Sequence, residues 1–301
     1  MISRRTDLAW EAKELWEESA QETTTLPGVI AREEDWEGCK IQRVEVLDEE
    51  GERALGKPPG IYLTLTVDTR GHREPSAFSR DTAAVAAQLE PLLQEAGDGP
   101  VLVAGLGNRE VTPDAVGPKT VDSVVVTRHL IRELPQHFGD FRPVAAIAPG
   151  VLGSTGMESG EMIQAMTKAL KPSCVLVVDA LASRSVDRLC STIQISNTGI
   201  IPGSGVGNHR MALNRETLGV PVISLGAPTV VEAATPCADL LQTVGAEEED
   251  PALLRQAGGE LFVTPRGVDG QVEQLAKILG YGISRALHVD LSVEDVEMFL
   301  S

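Results

Sequence analysis

Apolar and polar residues recur along the chain with two distinct periods. Over residues 7–22, Leu8, Ala12, Leu15 and Trp16 fall on one side at helical spacing while Glu11, Glu14, Glu17 and Glu18 fall toward water, which predicts an amphipathic helix. Residues 41–47 and 61–67 are β-prone, and Ile61-Tyr62-Leu63-Thr64-Leu65-Thr66-Val67 alternates with period two. They predict a hairpin or edge pair across the charged, Gly- and Pro-bearing link at 48–60. Residues 81–96 return to helical spacing through Val85, Leu89, Leu92 and Leu93, with Pro91 counting against an unbroken helix. From residue 101 the pattern becomes short apolar runs separated by helical stretches. Strands are predicted at 101–104, 144–148, 174–178, 192–195 and 220–225. Helices are predicted through Val121, Val124, Val125 and Leu130, at 158–170, after Pro228 and at 268–287. This alternation predicts an α/β fold with a mostly parallel sheet and helices on both faces. The whole chain, 1–301, is expected to form a single domain. Its parallel-sheet core spans 98–290, and a helix and β-hairpin appendage lies within 1–80. The acidic stretch 247–250 is expected to be a solvated link.

Composition narrows the class. Of 301 residues, 42% are hydrophobic and 23% charged, enough apolar material for a real core and too little bias for disorder. Five Phe, three Trp and two Tyr leave the core to Val, Leu, Ile and Ala, as in buried parallel sheets. The 44 acidic against 26 basic residues, a net charge of −18, argue against binding nucleic acid or anionic membranes, which needs surplus Lys and Arg. Cys39, Cys174, Cys190 and Cys237 lie far apart and form no C-x-x-C, so neither a disulfide framework nor a thiolate zinc site is expected, and a reducing cytosol suits the chain. Arg4-Arg5 is followed by charged residues rather than an apolar segment, and no run reaches the roughly 18 apolar residues of a membrane span.

Candidate chemistry sits where strands end, since open α/β sheets bind ligands beyond the carboxyl ends of their strands. After the first core strand, Gly105-Leu106-Gly107-Asn108-Arg109-Glu110 carries Glu where a dinucleotide fingerprint needs glycine, which speaks against a nucleotide. Thr112-Pro113-Asp114 resembles a helix start, with Thr112 capping and Pro113 in the first turn. There Asp114 either complements the helix dipole or acts chemically. Asp179 directly follows the apolar run Val175-Leu176-Val177-Val178. A carboxylate so close to the interior must be hydrogen-bonded, paired, protonated or working, and Arg184 is the nearest candidate partner. Two such acids converging on a substrate could divide the roles of general base and general acid.

Two further loops, 149–160 and 198–210, are dense in glycine and allow close backbone approach to a ligand. Gly107, Asn108, Glu158, Gly205 and His209 are the loop residues expected to support or bind substrate. Other nucleophilic sites fare badly. Gly203-Ser204-Gly205 and Gly153-Ser154-Thr155-Gly156 lack the G-x-S-x-G frame. Among His72, His129, His137, His209 and His288 there is no H-E-x-x-H, and only His209 lies in a candidate loop.

Several strings are more specific than these patterns. Arg5-Thr6-Asp7-Leu8-Ala9, Gly105-Leu106-Gly107-Asn108, Val111-Thr112-Pro113-Asp114-Ala115, Thr127-Arg128-His129-Leu130 and Phe141-Arg142-Pro143 closely resemble the germination protease family. So do Val178-Asp179-Ala180-Leu181-Ala182-Ser183-Arg184, Thr192-Ile193-Gln194-Ile195-Ser196, the run 199–208 and Pro228-Thr229-Val230-Val231. The resemblance covers most of the chain in order. It implies an endopeptidase of spore-forming bacteria, acting in the cytoplasm of the spore core, that degrades small acid-soluble spore proteins early in germination. It further implies a phosphorylase/hydrolase-like fold shared with hydrogenase-maturation proteases, cleavage after Glu in a short acidic-apolar consensus, and self-association, often as a tetramer. The family's two catalytic aspartates fall on Asp114 and Asp179, and no cofactor is implied. Family members are usually zymogens with an N-terminal pro-segment. Only residues 1–4 precede the first matching block here, so a pro-segment is expected to be nearly absent. The stretch between Val230 and residues 263–265 is expected to be shorter than in longer relatives, at an assembly interface or substrate flap.

Two alternatives use the same residues differently. In a metal-dependent maturation-type peptidase, Asp114 and Asp179, with His209 or Glu158, would be ligands to a hard or borderline divalent ion. In a non-catalytic protein that holds spore proteins, neither aspartate would matter.

Overall fold

The short apolar runs become the centre of one mixed sheet. The computed structural model describes residues 6–19, 26–69, 76–204, 210–243 and 261–301. Among them, nine strands form the sheet: β1 (Val29–Trp36), β2 (Cys39–Val46), β3 (Gly60–Thr66), β4 (Val101–Gly105), β5 (Val144–Ile147), β6 (Cys174–Ser183), β7 (Thr192–Ser196), β8 (Val222–Glu232) and β9 (Phe262–Val263). Their order is β1-β2-β3-β7-β8-β6-β4-β5, with β9 on β8. The pairs β8–β6, β6–β4 and β4–β5 are parallel, and the remaining pairs are antiparallel. The N-terminal strands therefore extend the core sheet through β3 and β7.

Period two in the strands sorts their side chains between two layers. Val101 and Val103 of β4 and Leu176 and Val178 of β6 join Leu89 of the helix Ala77–Ala96 and Leu275, Ile278 and Leu279 of the helix Val268–Leu287. On the other face, Leu102 and Ala104 of β4 and Val175 and Val177 of β6 pack on Ile163 of the helix Ser159–Leu170. The helix Ala9–Ser19 covers the N-terminal strands by placing Ala9 and Trp10 against Val44, Val46 and Tyr62. Helices thus lie on both faces, and every residue of β4 is buried. None of the described helices is long and apolar enough to cross a membrane.

Several elements differ from the sequence expectation for identifiable reasons. The strand β1 is additional. Its residues, rich in Arg32, Glu33, Glu34 and Asp35, are mostly exposed, which hides the strand from an apolar pattern. The link at 48–60 contains a helix, Glu49–Leu55, whose N-cap Asp48 accepts hydrogen bonds from the Glu50 and Gly51 amides. The helix Ala77–Ala96 runs through Pro91 unbroken. The helix expected through Val121 and Leu130 is instead two short ones, Val116–Val121 and Arg128–Glu133. Between them the Val125 amide donates to Ser284 Oγ (3.0 Å), and the Thr127 amide to the Val144 carbonyl (3.1 Å), so these donors are satisfied outside a helix. The strand β8 continues past Pro228 to Glu232, and the helix expected after Pro228 starts at Ala234. Pro228 is tolerated beside the register shift at Leu181/Ala182 of β6, where a ladder donor is dispensable. The helix Val293–Leu300 was not expected, and residues 247–250 lie outside the described residues.

Glu11 also departs from expectation, pointing inward at 1% exposure. Its carboxylate accepts hydrogen bonds from Thr6 Oγ1, the Arg184 amide (2.7 Å) and the Ser185 amide (3.0 Å), and pairs with Arg188 Nε at 3.4 Å. These contacts fasten the N-terminal helix to the chain leaving β6. Glu11→Ala would strand two backbone donors and remove one of the carboxylates that Arg188 pairs with, at a cost of roughly 2–5 kcal/mol. Urea unfolding should show a lower midpoint, with residues 6–19 the first to gain hydrogen-exchange rate. An unchanged midpoint would show that water replaces these bonds.

Candidate active site

The cleft forms where the chain changes direction across the sheet. From β4 the chain adds β5 on one side and β6 on the other, so the carboxyl ends of β4 and β6 flank the switch point at which α/β sheets bind ligands. The strand β4 stops at Gly105, opposite Val178, while β6 continues to Ser183 alongside β8. Asp179 is the first β6 residue beyond that stop, on the face that Val175 and Val177 occupy further back. Its partner in β8, Gly226, has no side chain to cover it. Asp179 therefore lies within a strand rather than at its end, at 6% exposure, with the space vacated by β4 open beside it.

Asp114 reaches the same space from the turn after β4. Gly107 bends the chain at φ +111°, a conformation that suits glycine; a Cβ there would sit 2.0 Å from the Asp114 carbonyl oxygen and 3.0 Å from its Oδ1. Gly117 allows the next segment to lie directly on the strand ends, for its Cβ would come within 2.2 Å of the Leu106 oxygen and 2.5 Å of the Val178 oxygen. Thr112–Asp114 is a single 3₁₀ turn in which Val111 takes the cap position. The expected Thr112 cap does not form. Its hydroxyl donates to Asp269 Oδ1 (2.8 Å), tying the turn to the helix Val268–Leu287. Thr229 Oγ1 donates to the Pro113 carbonyl at 2.7 Å.

Both aspartates line one cavity of about 510 Å³, with apolar walls from Leu106, Val111, Val151, Ile200, Met211 and Phe262. Asp114 is half-buried, and its Oδ2 accepts the Asn108 amide at 2.8 Å. Burial holds the Asp114 carboxyl above its ordinary range, against the opposing pull of that amide and of the Arg210 charge. Among the described residues, Asp179 Oδ1 accepts only its neighbour's amide, from Ala180 (2.9 Å). Burial first, then the charges of Asp114 and Asp7, push Asp179 well above the usual carboxylate range, with the Ala180 amide and Arg210 opposing. Arg184, the partner expected for Asp179, instead pairs with Glu18 at 3.3 Å, and among the described residues no cation forms a salt bridge with Asp179. The arrangement can hold one proton on one acid and a negative charge on its neighbour, in a mostly apolar cleft.

The supporting residues fall unevenly. Gly107 forms the bend and Asn108 supplies an amide to Asp114, while its own Oδ1 accepts from the Glu110 amide (3.0 Å). Glu158 lines the cavity and precedes the helix Ser159–Leu170 without capping it. Gly205 and His209 lie outside the described residues. Among the described residues, no three His, Cys, Asp or Glu side chains converge as a metal site requires.

One wall residue escaped the sequence reading. Asp7 projects into the cleft from the N-terminal segment, where Ser204 Oγ donates to its Oδ1 (2.9 Å) and the Ala182 amide to its Oδ2 (2.9 Å). Lys57 Nζ donates to the Asp7 carbonyl at 3.0 Å, and Gln194 Nε2 to the same carbonyl at 3.1 Å. Partners 50 or more residues away leave no local spacing to detect. The only signal was the place of Asp7 in the first block of the family resemblance.

Comparison with known proteins agrees along the chain. A family model described as Germination protease matches residues 9–250. A germination protease of Clostridium perfringens is 42% identical over 327 aligned residues, covering 100% of both chains. One from Caldanaerobacter subterraneus is 42% identical over 325, covering 100% of this chain and 99% of that protein. One from Bacillus cytotoxicus is 38% identical over 343, covering 94% and 93%. Among solved structures, the [NiFe] hydrogenase maturation protease HycI from Thermococcus kodakarensis matches with a TM-score of 0.37 and 18% identity, over 65% of this chain and 98% of that one. The family match and the full-length identities together establish that this chain belongs to the germination protease family.

Proposed function

We propose that this chain is the endopeptidase that begins degradation of small acid-soluble spore proteins during germination, in the spore-core cytoplasm. It would cleave after Glu, with Asp114 and Asp179 activating one water. The observation that carries the reading is a pair of aspartates on one cleft, neither neutralised by a salt bridge among the described residues, of which the more buried holds its proton more tightly. Family membership supports the proteolytic activity and the germination setting.

In this reading Asp114, the less buried acid, works ionised and takes a proton from water as the oxygen adds to the scissile carbonyl carbon. Asp179, protonated, gives its proton to the carbonyl oxygen, and a neutral gem-diol forms. Asp114 then passes its proton to the amide nitrogen as the C–N bond breaks, and one diol hydroxyl returns a proton to Asp179. Products are a new carboxyl group and a free amine, and both aspartates regain their starting states. The apolar walls lower the local dielectric, which strengthens each of these charge interactions. The two protons belong to the pair, so the pH dependence reports joint values.

A metal-bridged version is less well supported. Among the described residues no third ligand converges on the two carboxylates, which by themselves make a poor donor set for a divalent ion, and burial and neighbouring charge favour the protonated form of Asp179.

The pH profile of kcat/KM tests the proposal. Activity should appear as Asp114 ionises, above the ordinary carboxylate value of about 3.9 because its carboxyl is raised. It should fall at higher pH as Asp179 loses its proton. A bell with both limbs carried by carboxyl groups, unaffected by chelator, is expected. Activity restored by one divalent ion after chelation would move both acids from proton carriers to ligands.

A further inference from the structure

We propose that Arg210 determines specificity in this cleft, its guanidinium receiving the acidic side chain that precedes the scissile bond. The assignment rests on the endopeptidase reading above. Among the described residues that line the cavity, four are acids (Asp7, Asp114, Glu158 and Asp179) and one, Arg210, is a cation. Arg210 lines the same cavity as Asp114 and Asp179, and its charge lowers the proton affinity of both. Yet its side chain forms no hydrogen bond or ion pair with the described residues, and only its backbone amide is engaged, donating to the Pro202 carbonyl at 3.3 Å.

Four other arginines of the fold are occupied. Arg109 bonds to Asp122, Arg184 pairs with Glu18, Arg188 pairs with Glu14 at 3.0 Å, and Arg142 donates to the Gly99 carbonyl at 2.9 Å. Arg210 alone among these lines the cleft with its planar fork unclaimed by any described residue, and that fork is matched to a carboxylate. Electrostatics give the residue its purpose. A chain of net charge −18 with acids in its cleft repels an acidic peptide, and a single cation at the site offsets that repulsion only for a substrate that sets its carboxylate on it.

Two peptides differing only in Glu or Gln before the scissile bond test this, with kcat and KM measured for wild type, Arg210→Ala and Arg210→Lys. Thermal unfolding of each variant confirms its fold. Wild type should prefer the Glu peptide by roughly 10–100-fold, the range of a charge-assisted hydrogen bond. Arg210→Ala should bring the two peptides to near parity by raising KM for the Glu peptide, and Arg210→Lys should recover part of the preference. Equal losses on both peptides, with the Glu preference intact or the pH profile displaced, would overturn the assignment and leave Arg210 as a positioning residue for the aspartates. Wild type that cleaves neither peptide would overturn the endopeptidase reading itself.

Discussion

Asp179→Asn is expected to reduce peptide cleavage by roughly 10³–10⁴-fold while making the folded protein more stable at neutral pH. The two effects share one cause. In the folded chain the carboxyl of Asp179 is buried beside the charges of Asp114 and Asp7 and holds its proton well above the ordinary range. The unfolded chain releases that proton near pH 3.9. A raised folded value means that the associated stability is fully present below the unfolded value and is lost as pH rises through the folded one. Asparagine keeps the shape and can still accept the Ala180 amide, but it never has to ionise. Thermal unfolding should therefore show the variant and wild type close together in acid, with the variant higher by a few degrees near neutrality, corresponding to about 1–2 kcal/mol. Asp114→Asn should abolish cleavage likewise, with a smaller gain in stability. A variant that is inactive and less stable at neutral pH would show that Asp179 serves the fold rather than the reaction.

The second large effect concerns the bend that carries Asp114. Gly107 stands at φ +111°, and a methyl group there would overlap the Asp114 carbonyl at 2.0 Å while pressing on Oδ1 at 3.0 Å. Neither atom can yield without moving the 3₁₀ turn, which is held by Thr112 on Asp269 and Thr229 on the Pro113 carbonyl. Gly107→Ala should cost roughly 2–5 kcal/mol from backbone strain and overpacking. It should also lower kcat by about 10²-fold, through displacement of the carboxylate, at temperatures where the variant remains folded. Urea unfolding and steady-state kinetics on the same preparation separate the two. Wild-type kcat in a merely destabilised protein would mean that this bend does not set the position of Asp114.

Much of this architecture was legible because its periodicities are uninterrupted. The helix Val268–Leu287 buries thirteen of its residues, and β4 and β6 bury nearly all of theirs, so hydrophobic pattern and structure coincide. The strand β1 escaped because its exposed residues carry charges on both sides. A finer signal was present at Glu37-Gly38, whose φ values of 50° and 85° turn β1 into β2 between the paired residues Trp36 and Cys39. Glu11 was misread for a related reason. Helical spacing beside other glutamates assigns it to water, and only the amides of Arg184 and Ser185, some 170 residues away, draw it inward.

The cleft divides along the same line. Asp114 and Asp179 stand at strand ends in the sequence, and a carboxylate next to an apolar strand announces itself through the cost of its burial. Which of them keeps its proton depends on surroundings that no spacing encodes: the early stop of β4, the bare Gly226 opposite Asp179, and the charge of Asp7 entering from the N-terminus. Arg210 was visible only as one residue of a glycine-rich loop, and its place among four acids emerges once three loops and the N-terminal segment have converged on the cavity.

The most direct test of the account is digestion of a small acid-soluble spore protein by wild type, Asp114→Asn and Asp179→Asn, with and without chelator, the products being read by mass spectrometry. Chelator-resistant cleavage at a Glu-X bond by wild type, lost in both variants, is the predicted result. Cleavage of the same bond by both aspartate variants would contradict it.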